Sequence, residues 1–233
     1  MRRGSSRLRE REPRIPDHGV RAGVHSRKRR ALCAGLAGLT AVSAWLAPRA
    51  ARRARAELLV LELMDTSVPW DLPEHALVHL APECIPPLVR ALADPGRQGD
   101  RAAGVLAAVG PHPESVARVS AAARPEQGHA GPSLRRLRAT ALLVEWGHQE
   151  HFASYLQCLS WRQQAYGGAY RDDDLWLERT LTWLLSVSVA AGADPITFAA
   201  VANTAPAVDA RVRGIASAAV AAASVDRKGD AQR

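Results

Sequence analysis

The chain has 233 residues, with 29 arginines, two lysines and a formal net charge of +8, a balance that on its face suggests nucleic acid or an anionic membrane as partner. The charge is unevenly placed: residues 1–56 hold 15 Lys+Arg against 3 Asp+Glu, net +12, while residues 57–233 hold 16 against 20, net −4. A body with no basic surplus is poorly suited to neutralising phosphates, so nucleic-acid binding by residues 57–233 is set aside.

Residues 1–25 are rich in Arg, Glu, Pro and Gly and poor in apolar side chains. They cannot bury enough surface to offset the entropy of ordering, so the expectation is a disordered basic leader. Val24 can also be read as an alternative start, which would leave HSRKRR in front of the apolar run. Residues 26–56 then place an uncharged run, Ala31 to Ala47, between two arginine clusters. Seventeen residues of helix reach about 25 Å, slightly short of the roughly 30 Å hydrocarbon core. Alanine dominates, Gly35, Gly38, Thr40 and Ser43 interrupt, and leucine appears four times. Three readings stay open. An uncleaved single-span anchor leads; a cleaved export signal fits the basic Arg27-Lys28-Arg29-Arg30 start; a peripheral amphipathic helix is the third. The matching locations are membrane-associated, exported and cytoplasmic.

From residue 57 the periodicity is helical throughout. No window alternates as a strand does, and the predicted class is all-α. Helices are expected at about 57–65 and 73–81, followed by the pairs 84–93 with 99–109, 113–123 with 133–146, 149–160 with 174–191 and 195–204 with 207–223, and a disordered tail at 224–233. Gly110, Gly147 and Gly192 are read as left-handed helix stops. Asp94-Pro95, Pro113 and Asp194-Pro195 mark turns or helix starts.

The segments also repeat. RAAGVLAAVG (101–110) and RATALLVEWG (138–147) both open on Arg-Ala and close on Gly nine positions later; TWLLSVSVAAG ends on Gly192, and RGIASAAVAAA opens on Arg213. On these residues, above all PPLVRALADPGRQGDRAAGVLAAVG with Asp94-Pro95 in the turn and Arg101 opening the second helix, the chain resembles the HEAT-repeat family. Leu137-Arg138-Ala139 and Val212-Arg213-Gly214 repeat the second-helix signature. The resemblance covers 84–223 and is good in the first pair, partial in the second and fourth, and degenerate in the third. It implies an α-solenoid of about four helix pairs, stabilised by stacking, preceded by the N-terminal apolar helix. An irregular helical bundle is the alternative.

No motif specifies a reaction, and no catalytic, metal or cofactor site is expected. Glu74-His75-x-x-x-His79 lacks a third ligand. Glu145-x-x-His148, with Glu150 and His151, has the spacing of a di-iron ligand pair but no second copy, and Gly147 falls inside it. Asp172-Asp173-Asp174 reads as a helix N-cap rather than a calcium loop. Cys33, Cys84 and Cys158 are too far apart for a zinc site and read as small buried apolar residues. The longest expected loop, Trp161 to Asp173, carries Trp161, Arg162, Tyr166, Tyr170 and Arg171, residue types that anchor interfaces. The functional expectation is therefore a non-catalytic scaffold or adaptor that binds a protein partner, membrane-associated through residues 31–47. An enzyme with a site in the solenoid concavity is the rival, and a basic leader that binds anionic lipid or nucleic acid is the third.

Overall fold

The computed structural model describes residues 47–65, 71–126, 131–166 and 173–230. The chain divides into two units, Met1–Arg49 and Ala50–Arg233. Of the first, only residues 47–49 are described, helical and exposed. The leader and residues 31–46 of the apolar run lie outside the described residues.

The second unit is all helical among its described residues. Helix α1 covers residues 50–64. It is followed by α2 (Asp71–Val78), α3 (Ile85–Ala91), α4 (Arg97–Val109), α5 (Pro113–Ala122) and α6 (Leu134–Glu145). A 3-10 turn, Gln149–His151, leads to α7 (Phe152–Tyr166), α8 (Asp173–Ala190), α9 (Pro195–Thr204) and α10 (Ala210–Asp230). Each helix predicted from residue 57 onward is present. Three run longer than expected: α1 begins at residue 50 rather than 57, α7 continues into the expected loop as far as Tyr166, and α10 continues to Asp230, because no Pro or Gly interrupts the pattern at the predicted boundary.

Helix starts follow capping chemistry. Ser133 accepts the Arg136 N–H at 3.2 Å, and Asp194 accepts the N–H groups of Ile196 and Thr197 at 3.1 and 3.3 Å. Pro113 and Pro195 occupy first-turn positions, where a missing N–H costs nothing. Helix ends follow the glycines. Gly110, Gly147 and Gly192 have φ of +79°, +88° and +98°. At Gly147 the N–H bonds the Val144 carbonyl and the His148 N–H reaches back to Leu143; Gly192 repeats the pattern with Val189, and Ala193 with Ser188. These are two complete Schellman closures. Gly110 cannot form a third, because Pro111 has no N–H to donate; its own N–H goes to Leu106 and Ala107.

Packing proceeds from neighbour to neighbour. Helix α4 packs on α6, α6 on α8 and α8 on α10, while α3 packs on α5 and α7 on α9. Adjacent pairs α3–α4, α5–α6 and α9–α10 also pack. The expected third pair departs from this in degree: among the described residues α7 packs chiefly on α6, α9 and α10, and it meets α8 within the second apolar cluster and through Arg162 over Trp176. The apolar interior has two clusters, and α6 divides them. Its Ala139, Leu142 and Leu143, with Trp146 just past its end, join Leu88, Leu92 and Leu106 on one side. Its Leu137 and Val144 join Phe152, Leu181 and Leu185 on the other. There Phe152 meets Phe198 edge to face, with centroids 4.8 Å apart at 76°. That geometry adds about 1 kcal/mol to the burial of the two rings.

The three arginines of the second-helix signature share one function. Arg101 donates from Nη1 to the carbonyls of Leu63 and Asp65 at the end of α1, at 3.0 and 2.9 Å. Arg138 donates to Leu92, Asp94 and Gly96 at the end of α3, at 2.7, 2.7 and 2.8 Å, and to Oδ1 of Asp100 at 2.9 Å. Arg213 reaches Ala205 and Val208 after α9, both at 3.2 Å. Helix C-termini leave carbonyls without intrahelical donors, and a guanidinium with five N–H groups satisfies several at once. The repeated arginine is thus a packing device that fixes one helix end against another.

Candidate partner-binding face

Helix α8 is apolar on more than one side, and that is what sets it apart. Leu177, Leu181, Leu184, Leu185 and Ser188 are buried, the leucines within the second cluster. The opposite side exposes Leu175 (51 %), Trp176 (45 %) and Trp183 (55 %). Residues seven apart return to the same face, so the two indoles stand about 10 Å apart along the axis, with Arg179 exposed between them. From α7, the Arg162 guanidinium lies over the Trp176 ring, 5.1 Å from its centroid. A cation held on an aromatic face both orients the ring and keeps its own charge available to a partner. Two half-exposed tryptophans and two arginines are side chains of the types that anchor interfaces.

The residues singled out in the sequence are distributed around this face. Arg162 belongs to it. Trp161 does not: it is half-buried and folds back onto the turn before α6, where a Cβ on Gly131 would come within 2.0 Å of its Nε1. Tyr166 closes α7. Tyr170 and Arg171 lie outside the described residues. Trp176, Arg179 and Trp183 are not among the expected site residues, although their signal is present in the sequence. Once the stripe Leu177-Leu181-Leu184-Leu185 is assigned to the core, Trp176 and Trp183 fall on the far side of the helix.

The remaining candidates are polar turns. His75 and His79 are both exposed, one at the end of α2 and one after it. The His79 carbonyl accepts from Arg52 at 3.5 Å. Gly147 ends α6 between Glu145 and His148, and His148 Nδ1 lies 3.3 Å from Glu150 Oε1. Burial raises the Glu145 carboxyl above its ordinary range. His151 is lowered, chiefly by burial and further by His148, against the opposing charge of Glu150. Helix α8 begins at Asp173, and Asp172 lies outside the described residues. Cys84 and Cys158 are buried free thiols; burial pushes Cys84 up to about 11 and raises Cys158 as well, so neither is a thiolate at neutral pH. Cys33 lies outside the described residues. Among the described residues no three His, Cys, Asp or Glu side chains group as a metal site. No helix there is long and apolar enough to cross a membrane.

Compared with family models, with curated proteins and with solved structures, the chain matches none. The reading of function therefore rests on the geometry alone.

Proposed function

We propose that the protein is a non-catalytic scaffold or adaptor built as a HEAT-like solenoid, and that the α7–α8 face is where it takes a protein partner. The neighbour-to-neighbour succession α4–α6–α8–α10 and the recurring glycine and arginine devices support the solenoid, with the pair α7 and α8 as its irregular unit. Membrane attachment through residues 31–47 belongs to the same reading.

The observation that carries partner binding is the exposure of Trp176 and Trp183 on one face around Arg179. Placing two tryptophans in water on a rigid helix is unfavourable unless something covers them, and their spacing matches two pockets about two helical turns apart. Arg162 and Arg179 add a preference for carboxylates beside the apolar anchors. The test is the variant Trp176→Ala/Trp183→Ala. It retains the urea midpoint of the parent, because neither ring is core, and it loses the complex that the parent forms in extracts of its own cells, resolved by native size exclusion. A variant that unfolds, or one that keeps the complex intact, rules out the α8 face as the docking surface.

A further inference from the structure

The first turns of α1 differ from the rest of that helix. Ala56, Val60 and Leu63 are buried, whereas residues 50–55 are exposed on every side. The buried part is firmly held. Arg90 Nη2 donates to both oxygens of Glu57 at 2.7 and 2.8 Å. Arg101 caps the helix end from α4, and Gln98 donates to the Met64 carbonyl at 3.1 Å. Of the arginines on the exposed turns, Arg52 is committed to the body, 3.4 Å from Glu83 Oε2. Arg53 and Arg55 are different: among the described residues no carboxylate pairs with either.

In the sequence these two arginines follow closely on the apolar run Ala31–Ala47, and the body beyond them carries net −4. An anionic surface repels such a body as a whole and attracts this end of it. We propose that Arg53 and Arg55 form a contact for the headgroups of anionic lipid, a reading that rests on the membrane association proposed above. The guanidinium fork matches the phosphate and carboxylate oxygens of phosphatidylserine. Two positions apart on a helix, the two side chains point to nearly opposite sides, so both reach headgroups only where α1 meets the surface end-on, which the all-round exposure of residues 50–55 allows. A basic residue held at the bilayer surface strengthens binding about fivefold, so in that orientation the pair contributes roughly 25-fold. Nucleic-acid phosphates offer the same oxygens; the adjoining apolar run favours lipid.

The test is flotation of the full chain with phosphatidylcholine vesicles, with and without phosphatidylserine, for the parent, Arg53→Gln/Arg55→Gln and the control Arg97→Gln/Arg124→Gln, which removes two exposed arginines elsewhere on the body. The expected result is a phosphatidylserine preference that falls roughly 25-fold in the first variant and is unchanged in the control. An equal fall in both variants, or none in the first, overturns the proposal. So does tighter binding to a short DNA duplex that the first variant loses. Failure of the anchor reads differently: binding to neutral vesicles is then absent in every chain, while the phosphatidylserine preference persists.

Discussion

A Cβ placed on Gly99 would come within 2.0 Å of Arg138 Nη1, so the slot that receives this buried guanidinium exists only because residue 99 has no side chain. The same added atom would meet the Asp94 carbonyl at 2.6 Å. Gly99 lies inside α4, where glycine is otherwise unfavourable by about 1 kcal/mol against alanine. Gly104, further along the same helix, has nothing within 4 Å of its added Cβ. The two positions therefore predict opposite signs. Gly104→Ala stabilises by about 1 kcal/mol, whereas Gly99→Ala destabilises by about 2 kcal/mol or more. Urea unfolding of the two variants checks this; equal shifts would mean that the slot is not tight.

Removing the guanidinium leaves the carbonyls of Leu92, Asp94 and Gly96 without their donor. Arg138→Met is expected to cost about 3 kcal/mol, since a buried guanidinium loses three carbonyl partners at once and not one surface ion pair. The Asp100 carboxylate is largely exposed at 69 %, so Asp100→Asn costs under about 1 kcal/mol. If the two substitutions cost the same, the ion pair rather than the carbonyl cap is what Arg138 supplies.

The helix-closing glycines give a graded series. Alanine at Gly192 or Gly147 is forced into the left-handed region at a cost of about 1 kcal/mol. Gly147 has the further burden of the Ala191 carbonyl, 3.3 Å from the added Cβ, whereas nothing lies within 4 Å at Gly192. Gly147→Ala is therefore the more damaging of the two, measured as the difference between their urea midpoints.

Acid acts on the turn after α6 through two opposed groups. His151 is lowered from 6.5, so as pH falls through 6.5 the unfolded chain takes up the proton first and stability declines. Glu145 is raised above 4.5, so as pH falls toward 4.5 the folded chain takes up the proton first and stability rises. His151→Gln removes the decline just below neutrality. Glu145→Gln removes the later gain and stabilises the protein at pH 7. Stability measured against pH for both variants separates the terms; a parallel displacement of both curves would show that neither group titrates through folding.

The helices, their stops and several of their starts are legible in the sequence because each is written locally: Gly147 and Gly192 as stops, Pro113 and Asp194-Pro195 as starts. What Arg138 does is not legible, since its partners lie some forty residues away and nothing in Leu-Arg-Ala says which carbonyls it will meet. The candidate site is half visible. Arg162 and Trp161 share one aromatic segment and read alike in the sequence, yet Trp161 is a packing residue seated on Gly131, and the exposed rings are Trp176 and Trp183. Exposure depends on which stripe of α8 turns inward, and in a helix apolar on two sides that choice is made by the neighbouring helices. That α7 packs chiefly on α6, α9 and α10 has the same origin, in tertiary packing over a degenerate repeat.

On the reading proposed above, α8 meets a partner through its tryptophan face. The most direct measurement replaces Trp183 by a photo-crosslinking amino acid in the protein's own cells, with the same substitution at Ile196, exposed on α9 at 79 %, as the reference. The predicted result is a discrete adduct with a different protein from position 183 and none from position 196, and its loss on Arg179→Glu. Adducts of equal yield from both positions, an adduct with a second copy of this chain, or no adduct from position 183 would contradict the claim.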